Sequence, residues 1–325
     1  MKKCIYILIA FLCVASSKAQ ESTSAYNVLR MQASSHAVAL GGENISIIED
    51  APFAGYNNPA LYSGVSDCTF GLNFMTYANK SKWMGAQFVK AFGSRHTGAV
   101  SANYLGYGSM KETDISGTEI GTFTPKDILF NVGYSYLFSD RWAGGASLKF
   151  IYSKYADFSA VAMAVDLGIN YYDEEKDFSF SAVAQNIGTP IKTFNDQPAH
   201  LPFGIQLGFS KGMSHAPIRF SLTMIDVTRW NSKYYYTTDN KKIKFGQMAL
   251  NHFVLGIDIL PTDYLYLSAG YNFRRAYELK AAGSGKGAGL TFGGGFNVKR
   301  FKAGISYARY HKSTSSLIFN VGYSL

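Results

Sequence analysis

The stretch Ile128–Leu137, ILFNVGYSYL, alternates without a break. Ile128, Phe130, Val132, Tyr134 and Tyr136 fall on one side of an extended chain, and Leu129, Asn131, Gly133 and Ser135 on the other. Successive side chains of a strand point to opposite faces, so this is a strand with one bulky face and one mostly small and polar. A soluble β-sandwich also alternates, but it turns its apolar face into a core. Leu, Ile, Val, Phe and Tyr opposite Gly, Ser, Asn, Asp and Lys fit a strand whose outside meets lipid and whose inside is wet.

The same phase recurs in both directions. Candidate strands precede this stretch at Thr69–Tyr77, Trp83–Phe92 and Gly98–Tyr107, and follow it at Gly145–Tyr152, Val161–Tyr171 and Phe178–Gln185. Seven more run Phe203–Phe209, Ile218–Asp226, Phe253–Ile259, Leu265–Phe273, Leu290–Phe296, Phe301–Tyr307 and Leu317–Leu325. The count is fourteen, an even number. Connections after even strands are short, as in Gly93–Thr97 and Asn297–Arg300. The long ones all follow odd strands: Gly108–Asp127, Asn186–Pro202, Val227–His252 and Arg274–Gly289. That phasing predicts an all-β, 14-stranded antiparallel transmembrane β-barrel with short periplasmic turns, long extracellular loops and both termini periplasmic. Tyrosines near strand ends, among them Tyr77, Tyr136, Tyr171 and Tyr307, suit interfacial girdles. The final strand reaches the last residue, where it must pair with the first to abolish free edges.

Composition agrees. The chain has 23 Tyr, 24 Phe and 32 Gly but only 8 Pro, as many strands with tight turns require. MKKCIYILIAFLCVASSKA reads as a secretory signal peptide over residues 1–19, with Lys2 and Lys3 ahead of an apolar run and Ser17-Lys18-Ala19 as cleavage site. A lipoprotein anchor at Cys13 is disfavoured by the bulky residues before it. Three lysines lie in the leader, so the net charge of +9 becomes +6 once it is removed. No basic block exists, which argues against nucleic acid. Cys68 alone survives cleavage, excluding an internal disulfide or a cysteine-based metal site.

Between leader and first strand, Asn27–Ser63 lacks the strand period. It carries Gly41-Gly42, the pair Glu49-Asp50 and Asn57-Asn58-Pro59-Ala60. Asn before Pro is a helix-start signal. A 14-strand lumen is too wide for its own side chains to fill, since about eight strands already close snugly. Residues 20–67 are therefore expected to form an N-terminal plug or hatch, with the barrel over 68–325. Inward charges such as Asp166, Lys149 and Arg219 could line a pore or pair with that plug.

Other features carry less chemistry. Gly283–Gly289 lacks the spacing of a phosphate loop, because Lys280 and Gly287 stand where Gly and Ser or Thr are needed. His36, His96, His200, His215, His252 and His311 show no ligand spacing. No nucleophile motif is present, so no catalytic residue, metal or cofactor is expected. The loop Thr228–Gln247 combines Trp230, Tyr234, Tyr235 and Tyr236 with Lys233, Lys241 and Lys242. That is the composition of a partner-binding surface, or of a rim loop attracted to anionic lipopolysaccharide.

The run ASSHAVALGGENISIIEDAPFAGYNNPAL, with Gly41, Gly42, Asn57, Asn58, Pro59 and Ala60, resembles the start of FadL-like outer-membrane proteins of the PorV/PorQ kind. The resemblance extends over residues 20–325 and includes the closing SLIFNVGYSL. It implies a non-enzymatic barrel with an N-terminal hatch. It further implies a place in the type IX secretion system, anchoring a PorZ-like surface protein in a complex with PorU and PorV that links secreted cargo to lipopolysaccharide. The alternative within the same family is an outer-membrane transporter of hydrophobic small molecules.

Overall fold

In a computed structural model, which describes residues 26–325 except 78–80, 115, 195–198, 236–242, 282, 284–286 and 311–314, fourteen antiparallel strands close into a barrel. The leader lies outside the described residues. The first strands are β1 (Thr69–Thr76), β2 (Lys82–Phe92) and β3 (His96–Gly106). A separate hairpin, β4 (Met110–Thr113) with β5 (Glu119–Phe123), follows within the first long loop. The wall continues with β6 (Lys126–Ser139), β7 (Trp142–Tyr155), β8 (Phe158–Asp173), β9 (Phe178–Lys192), β10 (Gly204–Gly212) and β11 (Ile218–Met224). It ends with β12 (Phe253–Thr262), β13 (Leu265–Asn272), β14 (Leu290–Val298), β15 (Phe301–Ala308) and β16 (Ser316–Ser324). Each wall strand pairs with its neighbours in sequence, β3 passing over the hairpin to β6. Closure comes from β1 on β16, in register from Thr69 opposite Ser324 to Met75 opposite Ile318.

The outward face is apolar. Leu72 is 62% exposed, Val132 57% and Val321 55%, which in water would be a large penalty and in a bilayer is the source of insertion energy. Aromatic clusters ring the short-turn end: His96 packs on Tyr136, Tyr136 on Phe138, and Trp142 on Tyr171.

All four connections expected as long loops carry ordered elements, the first being the β4–β5 hairpin. β9 continues to Lys192 past Asn186, where the period breaks because Asn186 adopts φ +56° at a register shift against β8. A β-bulge puts two residues opposite one and so erases alternation in the sequence. Helices at Phe245–Leu250 and Phe273–Ala281 occupy the last two long connections. They are too short and too mixed in composition to give a clear helical period.

Residues 26–66 run inside the barrel. Trp83 Nε1 donates to the Gln32 carbonyl at 3.1 Å, Asn320 Nδ2 to the Ala33 carbonyl at 2.8 Å, and the Ser46 and Ser210 hydroxyls meet at 2.6 Å. All three wall partners face inward.

Candidate functional site

The Ser34 side chain caps the helix Ser35–Ala39 by accepting from the Ala37 N–H at 3.2 Å. Gly41 and Gly42 end this segment with φ of +100° and +92°, a conformation that costs glycine nothing. The Gly41 N–H donates to Thr291 Oγ1 at 3.0 Å, and its carbonyl accepts from Asn272 Nδ2 at 3.2 Å. The pair thus turns the chain and fastens it to the wall.

Asn57-Asn58-Pro59-Ala60 forms the other attachment. Asn58 caps the 3-10 turn Pro59–Gly64, its side chain accepting from the Ala60 N–H at 3.1 Å while its amide donates to the Ile45 carbonyl at 3.0 Å. Gln185 Nε2 donates to the Asn57 carbonyl at 2.8 Å, and Ser135 Oγ to that of Ala60 at 3.0 Å. The turn sits on wall glycines. A Cβ at Gly145 would stand 2.4 Å from the Pro59 carbonyl carbon, one at Gly168 2.0 Å from Asn58 Oδ1, and one at Gly133 2.5 Å from the Tyr62 ring. Glycine on the inner face is what lets a second backbone approach so closely.

The carboxylate pair supplies charged ties. His36 Nδ1 lies 2.6 Å from Glu49, farther along the same segment, and its Nε2 lies 2.9 Å from Asp258 on β12. Asp258 also holds Arg219 at 2.9 Å and accepts from Ser268 at 2.6 Å. Burial opposes the charged imidazole, but the Glu49 and Asp258 carboxylates outweigh it and raise His36 to about 9. Asp50 meets Lys302 at 2.6 Å and accepts from Ser66 Oγ at 2.6 Å. Of the inward charges read from the sequence, Arg219 reaches the N-terminal segment only through Asp258. Lys149 and Asp166 pair with each other at 2.5 Å.

On the long-loop side, Trp230 stacks on His252 at 4.1 Å and neighbours Phe245 at 6.0 Å. Arg274 joins Asp226, Glu278 and the Tyr234 carbonyl, and lies 5.2 Å over the Tyr235 ring. Of the expected contact residues, Trp230 is 42% exposed, Tyr234 is partly buried, and Tyr235 is 7% exposed, packed into the loop it was expected to advertise. Tyr236, Lys241 and Lys242 lie outside the described residues, and Lys233 is described only in its backbone. Phe245, 71% exposed, was not singled out by the sequence.

Two interior features also escaped the sequence reading. Near the long-loop ends, Met75, Trp83, Leu105, Leu129, Ile151 and Ile318 face inward and pack on Tyr26, Val28 and Met31. These wall residues continue the inward phase of polar ones such as Asn73, Asn103 and Asn131, which was the available signal. Beside them lies a chamber of about 400 Å³ with a mixed charged and amide lining, including Gln32, Glu43, Gln206, Arg275 and Tyr310.

No family model matches the chain, nor does any curated protein. Among solved structures it is similar to the toluene transporter TodX of Pseudomonas putida, at 14% identity over 93% of this chain and 99% of that one, with a TM-score of 0.54. It is also similar to a FadL homologue of Pseudomonas aeruginosa, at 9% identity over 91% and 99%, TM-score 0.52. The CymD monoaromatic hydrocarbon channel aligns at 11% identity over 93% and 98%, TM-score 0.51. At these identities the likeness establishes the fold: the chain has the closed 14-strand architecture of FadL-type outer-membrane barrels, and its neighbours are transporters and channels.

Proposed function

We propose that the chain is a non-enzymatic outer-membrane barrel that anchors a surface complex, with residues 26–66 as a fixed plug and the long loops outside the cell. The observation that carries this reading is how the N-terminal segment is held. It is tied to the wall by the His36–Asp258 and Lys302–Asp50 pairs and seated on glycines at Gly133, Gly145 and Gly168. Removing one partner of a buried ion pair such as His36–Asp258 costs about 3–5 kcal/mol, so displacing the segment is expensive. A lumen closed in this way suits a post better than a passage. The partner inferred from the family resemblance is a PorZ-like protein, held together with PorU and PorV in a type IX attachment complex that links cargo to lipopolysaccharide. Trp230 and Phe245 offer the exposed aromatic surface for it. Purification of the tagged protein from native membranes, with mass spectrometry of what accompanies it, tests this. Secretion partners should co-purify and be lost when residues 227–252 are shortened. Recovery of every partner by the shortened chain defeats the loop assignment, and recovery of none by the full chain defeats the anchor.

The second reading is transport of hydrophobic small molecules. It is favoured by the names of the structural neighbours and by the inward apolar belt around Trp83 and Ile151. Uptake of toluene or a long-chain fatty acid into liposomes, dependent on the reconstituted protein, would move the assignment to this reading.

A further inference from the structure

The chamber on the long-loop side of the N-terminal segment is unlike the site of a hydrocarbon. Four buried polar atoms on its lining lack a hydrogen-bond partner among the described residues: Gln32 Oε1, Gln206 Oε1, Arg275 Nη1 and Tyr310 Oη. Gln32 and Gln206 are only 8% and 7% exposed. A relay of amides orients Gln206. Gln185 Nε2 donates to the Asn57 carbonyl at 2.8 Å, Gln185 Oε1 accepts from Gln206 Nε2 at 3.2 Å, and Gln206 Oε1 is the group left over. The Arg275 guanidinium is held 4.3 Å over the Tyr310 ring, itself packed against Tyr77 at 5.9 Å. Its direction is thus set by packing.

The charges on the lining leave no surplus to select an ion. Lys149 faces Asp166 at 2.5 Å, Arg274 faces Glu278 at 3.1 Å and Arg229 faces Asp226 at 3.6 Å. Arg275 is balanced by Glu43, which lies within its field and 3.4 Å from Gln206 Nε2. Arg30 is exposed and engaged in its own right. An anion placed on Arg275 would therefore also meet Glu43, and a cation drawn to Glu43 would meet Arg275. A hydrocarbon would leave all four unpartnered atoms unmatched. What fits is an uncharged molecule rich in hydroxyls, because each hydroxyl both donates and accepts. It can donate to the two amide oxygens, accept from the guanidinium and bond the phenol in either sense. A ligand that meets all four at once displaces the water that would otherwise serve them and leaves no buried group unmatched. The volume, about 400 Å³, lies within the range of small-molecule sites.

We propose that this chamber binds an uncharged polyhydroxylated molecule of monosaccharide size, its hydroxyls matched to Gln32, Gln206, Arg275 and Tyr310. Asp226, Arg229 and Arg274 on the lining belong to the long connections, so the ligand enters from solution on that side. The proposal is independent of the anchoring role.

Isothermal titration calorimetry on the full chain in an amine-oxide detergent, whose head group carries no sugar, tests it. Glucose, galactose and mannose are the probes, glucuronate and glucosamine the charged counterparts, and toluene the apolar control. At least one of the three neutral sugars should bind saturably, with a Kd at least about tenfold below those of glucuronate and glucosamine. Tyr310→Phe and Gln32→Met each remove an oxygen without a partner in the protein, and each should weaken that sugar by about threefold to tenfold. Heat-modifiable migration on gels reports whether each variant is a folded barrel. If neither variant folds, the comparison of neutral with charged sugars decides. Absence of binding by all three neutral sugars, equal or tighter binding of either charged counterpart, displacement by toluene, or unchanged affinity in a folded variant would overturn the proposal.

Discussion

A Cβ placed on Gly145 would lie 2.4 Å from the Pro59 carbonyl carbon and 2.5 Å from the Ala60 nitrogen, both backbone atoms with no rotamer to yield. Gly145→Val should therefore destabilise by about 1–3 kcal/mol, as overpacking does. It should also expose the N-terminal segment: a cysteine at position 46, where Ser46 is fully buried, should become open to biotinylation in a Cys68→Ser background. Gly246→Ala is the control, since nothing stands within 4 Å of a Cβ there. Labelling that does not rise in Gly145→Val would mean that the segment accommodates a side chain under it. His36 gives a second test, in pH. Its folded value, about 9, lies above the ordinary 6.5, so the folded state favours the protonated ring. That contribution, roughly 3 kcal/mol at most, is complete below about pH 6.5 and lost as pH rises through about 9. The temperature at which the compact gel form disappears should fall between pH 7 and 10 for the native chain. His36→Gln should start lower and lose most of that slope; an unchanged slope would place the titration elsewhere.

At the scale of elements, what was legible in the sequence follows the physics of each face. Ile128–Leu137 announced β6 because lipid and lumen impose opposite demands on alternate residues, and Asn58-Pro59 announced its 3-10 turn because capping is local. Asn186 hid the second half of β9, since a bulge resets the period. The attachment of the N-terminal segment was half legible. Asp50, Gly41, Gly42 and Asn58 stood out, but their partners Lys302, Thr291 and Gly168 lie more than a hundred residues away in sequence, and Glu49 meets the wall only through His36, which reaches Asp258. Nothing in a single strand marks which inward glycine will receive another backbone. The same two-faced logic yields a test on β6. Val132→Arg, outward and 57% exposed, should cost about 2–4 kcal/mol if it lies at bilayer mid-depth. Folding yield into lipid vesicles should drop accordingly. Yield equal to the native chain's would mean that this face does not meet hydrocarbon.

For the whole molecule, the choice between post and passage reduces to whether the lumen ever opens. A 14-strand wall encloses more space than its own side chains fill, and here the difference is made up by residues 26–66 with their charged ties and glycine seats. Every inward tie described above joins that segment to a different part of the circumference: β12 through Asp258, β14 through Thr291, β15 through Lys302, β6 through Ser135, β9 through Gln185. Ties spread round the wall must break together before the segment can leave, whereas a gate needs a hinge and few contacts beyond it. The full chain in planar bilayers should accordingly show no steady conductance. Deletion of residues 26–66 should open a stable pore, provided that the truncated chain still migrates as a folded barrel. The double variant Asp50→Ala, His36→Gln should sit between, flickering open, because two of the charged ties are gone while the glycine seats remain. Steady conductance by the full chain would favour a gated passage, and with it the transport reading over the anchor.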